Sequence, residues 1–404
     1  MSFLEFLLNW FKSTGIANMT PGQVIMIFIG LGLIYLAITK KYEPLLLLPI
    51  GFGCILVNLP LTGLMDPGEG IIWFIYRYGV LTEAFPVLLF IGIGAMTDFG
   101  PLLERPRLLL FGAAGQFGIF FTLIAALQFW VPSIIPLDLT YEEALLREAG
   151  SIAIIGAADG PSAIYVTTQF APHMLGPITV AAYSYMALVP IIQPPIIRAL
   201  TTKNQRRTRM PSESEKISKP IRTLFPIVVV LITCLIAPLA APLMGSLMLG
   251  NLMRESGVVK RLSKSAQNEL NNIITLLLGI TIGATMSAQD IYSPSKELLV
   301  RSFLHPDTLM IFGLGLVAFI MATAGGILLG QLWYVFSKSK INPMIGACGI
   351  SAFPMSARVV HHLGRKEDPD NFLIFQAMAA NTGGQIGSVT ATGILLLLVP
   401  LFGG

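Results

Sequence analysis

One carboxylate, Asp159, stands in the otherwise apolar stretch SIAIIGAADGPSAIYVTTQ, between Gly156 and Gly160-Pro161. A charge in such surroundings is costly to bury, so it pairs with something or belongs to an ion or proton pathway. Pro161 has no amide hydrogen, and a helix running through it frees the carbonyl of Ala157 four residues earlier. A carboxylate beside a free carbonyl offers oxygen ligands that suit a small hard cation. Discontinuous helices at the bilayer midplane are where transporters build such sites.

A second polar group lies in INPMIGACGISAFPMSARVVHH, from Ile341. Asn342-Pro343 has the form of a helix cap followed by proline at the first helical position. Pro354 frees the carbonyl of Ile350, and Ser351 and Arg358, seven apart, fall two turns along one helical face. QAMAANTGGQIGSVTATG, from Gln376, adds Asn381 in a further polar break. Met singly, Asn342, Ser351 and Asn381 are more often helix-break residues than ligands. Together, facing a carboxylate, they favour ligation, and Arg358 supplies a planar fork for a carboxylate.

The elements that must position these residues are membrane helices. The 404-residue chain is 54% hydrophobic and only 12% charged, with a mean hydropathy of +0.74, far more apolar than a soluble globular protein. Its net charge of +4 is modest and points to no nucleic-acid partner. Cys54, Cys234 and Cys348 lack metal or redox spacing and read as packing residues. His173, His305, His361 and His362 read as loop or interfacial residues. Nothing resembles a nucleotide-binding loop or a hydrolytic triad.

Along the chain, Phe3 to Phe11 makes an amphipathic face suited to the interface. Spans follow at about Gln23–Thr39, Leu108–Trp130, Leu175–Leu200, Thr223–Pro238 and Leu309–Phe336, with shorter interrupted segments between them. The expected fold is an all-α integral membrane protein of roughly 9–11 transmembrane or broken helices. It divides into 1–80 (interfacial helix and first spans), 81–200 (a first repeat broken at Asp159), 201–222 (a basic loop) and 223–404 (a second repeat broken at Asn342–Arg358 and at Asn381). Lys203, Arg206, Arg207, Arg209, Lys216, Lys219 and Arg222 against Glu213 and Glu215 make the loop cytoplasmic by the positive-inside rule. Anionic lipid or an acidic partner would also suit it.

The repeat shows in two matched pairs. GIGAMTDFGP, from Gly92, matches IGATMSAQDIYSP, from Ile282, and IGAADGPSA, from Ile155, matches IGACGISA, from Ile345. Gly94 precedes Gly156 by 62 positions and Gly283 precedes Gly346 by 63. An odd number of crossings between the matches makes the repeats inverted, and corresponding broken segments point to a central site. Asp98 and Asp290, at matched segment ends, read equally well as caps.

GAADGPSAIYVT, AAYSYMALVPIIQPPIIR, GNLMRESGVVKRLS and NPMIGACGISAFPMSARVV together resemble the membrane-embedded beta subunit of sodium-pumping, biotin-dependent decarboxylases, over nearly the whole chain after the first span. That family includes the oxaloacetate, methylmalonyl-CoA and glutaconyl-CoA decarboxylases. The resemblance implies that carboxybiotin, delivered by a carrier subunit and not attached to this chain, is decarboxylated with consumption of a proton while sodium ions are exported. It places the family's essential aspartate on Asp159 and its tyrosine on Tyr185. Its second conserved region falls on Asn342, Gly346, Ser351 and Arg358, and a further sodium-ligand asparagine on Asn381. It implies sodium ligation by Asp159, Asn342, Ser351 and Asn381, and catalytic roles for Asp159, Tyr185, Ser351 and Arg358, with Tyr185 and Arg358 near carboxybiotin. It further implies a carboxyltransferase and biotin-carrier alpha partner, a small single-span gamma-type partner, a homotrimer, an elevator-like motion and residence in the bacterial inner membrane.

The residues alone equally allow a stand-alone sodium/proton antiporter, a sodium-coupled carboxylate carrier, or a non-catalytic anchor for a carboxyltransferase. A biotin carrier and carboxyltransferase encoded beside this chain would favour the pump or the anchor, and an Asp159→Asn protein in liposomes separates those two.

Overall fold

The computed structural model describes residues 3–41, 43–136, 139–211, 217–292 and 298–403. Glu213, Glu215 and Lys216 of the basic loop, and the Ser293-Pro294 end of the second repeat motif, lie outside them. Among the described residues the fold is helical apart from two short antiparallel strands, Ile291–Tyr292 and Leu298–Val300. The N-terminal helix Phe3–Lys12 has no buried residue, in keeping with an amphipathic element that packs on no protein surface.

Five described helices are long and apolar enough to cross a bilayer: Pro21–Lys40, Pro106–Phe129, Lys219–Ile236, Pro306–Phe336 and Ile374–Phe402. Two bent pairs raise this to seven, Ile71–Val80 with Ala84–Met96 at 62° and Pro172–Ala187 with Val189–Leu200 at 66°. The expected Leu175–Leu200 span is therefore a bent pair. Expected crossings beyond these are shorter helices, Pro44–Val57 with 14 residues, Ala241–Ser256 with 16 and Asn271–Ala284 with 14.

Local sequence explains the helix starts. Thr20 and Thr140 each close a capping box with the residue three positions on, Gln23 and Glu143, which satisfies amides that the first turn leaves open. Where the sequence has Pro at the second helical position after a capping side chain, as in Asp159-Gly160-Pro161, a new helix begins.

Each of the two matched segments packs closely against a partner helix. A Cβ built on Gly283 would stand 2.0 Å from the Ile50 carbonyl oxygen, and one on Gly53 would stand 2.2 Å from that of Ile280. The matched positions repeat this: Gly94 against Leu247 at 1.8 Å and Gly250 against Ile91 at 2.1 Å. Both pairs space glycine and carbonyl three residues apart on each helix, so only glycine lets the backbones touch. Each partner helix also carries an asparagine that caps the far end of its neighbour: Asn58 Nδ2 donates to Met286 O at 2.8 Å and Asn251 Nδ2 to Thr97 O at 3.1 Å.

The remaining core centres on Pro306–Phe336, about 46 Å long at 1.5 Å per residue. Its start meets the turn after Phe129, with Ser133 Oγ 2.7 Å from Asp307 Oδ2. Its end meets the basic loop, where Gln331 Oε1 accepts from Gln205 Nε2 at 2.5 Å. These contacts define two opposite faces of the molecule, one of them basic.

Candidate functional site

Two helical hairpins enter from those opposite faces and meet at their tips. The first comprises Tyr141–Ala153, a tight turn Ile154–Ala157, and Gly160–Phe170. Ala158, at φ 56°, makes the reversal. The hairpin is clasped at its base by His173 Nε2, 2.9 Å from Glu148 Oε1, on the face away from the basic loop. Glu148 is buried and also accepts bonds from Trp130 Nε1 and Ser133 N, both at 2.7 Å. Nothing in the spacing of the chain pairs His173 with it, because their neighbourhood depends on the hairpin closing.

The second hairpin comprises the 3-10 segment Pro343–Gly349, an extended turn through Pro354, and the helix Met355–Glu367. Its base lies on the basic face. Asn342 Nδ2 donates to Arg206 O at 3.1 Å and Thr208 O at 2.9 Å, and its Oδ1 accepts from Met344 N at 3.0 Å. Beside it, Arg209 Nε binds Asp368 Oδ2 at 2.6 Å.

At the tips, Ser351 N donates to Ala157 O at 3.3 Å. Asp159, 6% exposed, caps the Gly160–Phe170 helix: its carboxylate accepts from Ser162 Oγ at 2.7 Å and Ser162 N at 3.4 Å. Ser388 Oγ donates to Gln385 O at 3.0 Å and lies 3.1 Å from Ser351 Oγ. Among the described residues no basic side chain forms an ion pair with Asp159. Asn381 is fully buried beside this junction, its Nδ2 donating to Ile350 O at 2.7 Å while its Oδ1 has no partner among the described residues.

A cavity of about 390 Å³ opens on the junction, lined by Asp159, Ser351, Glu43, Tyr183, Thr97 and Gln385 among others. Thr97 Oγ1 lies 3.2 Å from Gln385 Oε1, which ties the end of the Ala84–Met96 helix to Ile374–Gly403. A larger pocket of about 640 Å³ lies near Leu59–Pro67 and Gln289–Tyr292. It contains none of the expected site residues, so the smaller cavity is the chemically relevant one.

The expected site residues divide accordingly. Asp159 and Ser351 are brought together, and Asn381 packs against the same hairpin tip. Asn342 is not brought to them: it sits at the base of the second hairpin with both ends of its amide bonded to backbone. Tyr185 is buried but outside the cavity lining, its hydroxyl donating to Phe312 O at 2.6 Å. Arg358 is exposed on the Met355–Glu367 helix, close enough to Glu43 for their charges to interact.

Several geometric expectations are corrected. The freed carbonyls of Ala157 and Ile350 are each bonded, to Ser351 N and Asn381 Nδ2, because buried backbone oxygens seek donors. Ser351 and Arg358 do not share a helical face, since the helix starts only at Met355. Asn381 lies in no break: Ile374–Gly403 is one continuous helix. Its Gly384 instead allows contact with the second hairpin, where a Cβ would stand 2.6 Å from Ile350 O. Gly346 likewise serves close packing, 1.9 Å from Gly326 O by the same measure. Asp98 accepts from Gly100 N, the first residue of a short helix, at 2.9 Å and pairs with Arg254 at 3.2 Å, whereas Asp290 caps no helix and accepts from Ser302 N, across the two short strands, at 2.7 Å.

Sequence reasoning missed Ser162, Ser388, Glu43 and Tyr183. Ser162 was findable, since a serine three residues after a capping aspartate reaches back to it. The other three come from segments distant in sequence, and only folding joins them to Asp159.

Residues 22–399 match the model of the family described as Na+-transporting oxaloacetate decarboxylase beta subunit. The chain is 45% identical over 419 residues to the methylmalonyl-CoA decarboxylase subunit beta of Propionigenium modestum, covering 98% of this chain and 99% of that one. It is 44% identical over 399 residues to the glutaconyl-CoA decarboxylase subunit beta of Acidaminococcus fermentans, with the same coverage. To the oxaloacetate decarboxylase beta chain of Klebsiella pneumoniae it is 42% identical over 450 residues, again covering 98% and 99%. With a family match across nearly its whole length and a buried carboxylate at the meeting of two hairpins, the chain belongs to the beta subunits of the Na+-transporting decarboxylases.

Proposed function

We propose that this chain is the membrane subunit of a primary sodium pump, coupling decarboxylation to sodium export. The observation that carries the reading is Asp159, a buried carboxylate with no ion-pair partner among the described residues, at the tip-to-tip junction of two hairpins in a chain of this family. A carboxylate so placed favours a cation or a proton as its counter-charge.

In this reading Asp159, the Ser351 hydroxyl and the unpartnered Asn381 Oδ1 provide oxygen ligands for sodium, and Ser162 orients the carboxylate. The decarboxylated substrate is carboxybiotin, delivered by a biotin-carrier and carboxyltransferase partner. Loss of CO2 from carboxybiotin leaves a nitrogen that takes up one proton. Asp159 alternates between ion-bound and protonated forms and links the two processes. Arg358, exposed in the first turn of the Met355–Glu367 helix and near Glu43 of the cavity, receives the carboxylate of carboxybiotin. Tyr185 acts through its bond to Phe312, holding the long Pro306–Phe336 helix in place.

The repeats are inverted, a reading supported by the reciprocal glycine contacts and by hairpins entering from opposite faces. The basic face is cytoplasmic, by the positive-inside rule. The chain works in the bacterial inner membrane as a homotrimer with a small gamma-type subunit. The transport step is an elevator-like movement of the hairpin bundle against the helices packed through Gly53, Gly94, Gly250 and Gly283. The test is sodium uptake into proteoliposomes holding the complete complex, oriented with the basic face outward. Uptake driven by the acyl substrate and absent without the carrier subunit supports the pump. Sodium exchange by this chain alone, unchanged by the partners, would favour a stand-alone transporter.

A further inference from the structure

Tyr183 carries a buried hydroxyl with no hydrogen-bond partner among the described residues. The residue is 2% exposed and lines the cavity that Asp159, Ser351 and Glu43 share. Its ring presses on the residue after Asp159: a Cβ on Gly160 would stand 2.1 Å from Tyr183 Cζ and 2.6 Å from its hydroxyl oxygen. Glycine at 160 is thus what lets the phenol reach the junction.

A buried hydroxyl left unbonded forfeits its solvation without return, so the partner of this one comes from whatever occupies the cavity. No hydrogen bond joins Tyr183 directly to Asp159, whose hydrogen bonds come from Ser162. A phenol both donates and accepts, and one that stands across a gap from a carboxylate can share a cation or its water with it. Tyr185, two positions on and about 200° round the helix, is committed to the Phe312 carbonyl and is unavailable for this.

We propose that Tyr183 is a positioning residue of the cation site: its oxygen faces the sodium ion or an ion-bound water, and its proton turns toward Asp159 when the ion leaves. The proposal rests on the sodium-pump reading, and the test separates the two. In the complete complex, decarboxylation is measured against sodium concentration for the parent, Tyr183→Phe and Asp159→Asn. The phenylalanine keeps the ring on Gly160 and removes only the oxygen. The half-saturating sodium concentration of Tyr183→Phe should rise about tenfold, the equivalent of one lost contact to a charged group. More of the effect should fall there than on turnover at saturating sodium. The thermal midpoint of the purified complex should need about ten times more sodium for the same rise.

If Tyr183→Phe keeps the parent's half-saturation within about twofold while Asp159→Asn loses sodium dependence, Tyr183 has no such role and the pump reading stands. If neither variant alters the sodium dependence, the pump reading itself fails.

Discussion

Ser351 donates its backbone N–H to the carbonyl of Ala157 across 3.3 Å, joining the tips of two hairpins that start from opposite faces. The bond uses main-chain atoms only and so leaves the Ser351 hydroxyl beside Ser388 at the cavity. Ser351→Ala keeps the joint and deletes the oxygen. It should weaken apparent sodium affinity by about tenfold while costing no more than about 1 kcal/mol of stability, the net worth of one hydrogen bond. Sodium titration of activity alongside thermal melting checks this. A large loss of stability with unchanged sodium affinity would make Ser351 structural only.

Asn381 and Asn342 should behave differently, although the sequence groups them. Asn381→Ala strips the Ile350 carbonyl of its buried donor and deletes an unpartnered oxygen. It should destabilise by about 1–3 kcal/mol and raise half-saturating sodium. Asn342→Ala should release the 206–208 backbone from the second hairpin without shifting sodium half-saturation, whatever it does to turnover. Sodium titrations of both, with amide exchange of residues 203–209, distinguish them. A sodium shift for Asn342→Ala would return it to the ligand set.

The reciprocal glycine contacts make a stability prediction. Gly94→Ala and Gly283→Ala must each separate two touching backbones and should lose about 1–3 kcal/mol or more. Gly313→Ala, with nothing within 4 Å of the added carbon, should be neutral or gain up to about 1 kcal/mol from helix propensity. Thermal melts in detergent check the contrast. Equal effects at all three positions would refute the reciprocal packing.

The attachment of the basic loop depends on pH. Arg209 donates to both oxygens of Asp368, at 2.6 and 2.8 Å, and this holds the Asp368 carboxyl below its ordinary value of 3.8. A depressed value in the folded state means that the contribution is present above the unfolded pKa and is lost as pH falls through the folded one. Amide exchange of residues 203–209, corrected for intrinsic rates, should stay slow down to about pH 4 and quicken below it. Asp368→Asn should exchange fast at every pH, and protection equal to the parent's would dismiss the pair.

What the sequence made legible followed from local rules. The long spans, the break at Asp159, the Asn342-Pro343 start and the matched glycine segments were all readable, because hydropathy, proline and capping act within a few residues. Asn381 misled because glycines near a polar residue suggest a break, whereas here they serve helix contact. The two tyrosines are told apart only by the fold, which bonds the Tyr185 hydroxyl to the Phe312 carbonyl and sets Tyr183 in the cavity lining. Glu43 was invisible because it joins the site from a helix more than 100 positions away.

The central claim is that Asp159 binds the transported cation, and sodium-dependent decarboxylation by the complete complex carrying Asp159→Asn tests it most directly. The substitution keeps an oxygen at the helix cap and removes the charge. The account predicts that sodium no longer stimulates turnover and that sodium uptake into proteoliposomes is lost, in a complex that still assembles. Undiminished sodium-dependent decarboxylation and uptake by Asp159→Asn would contradict it.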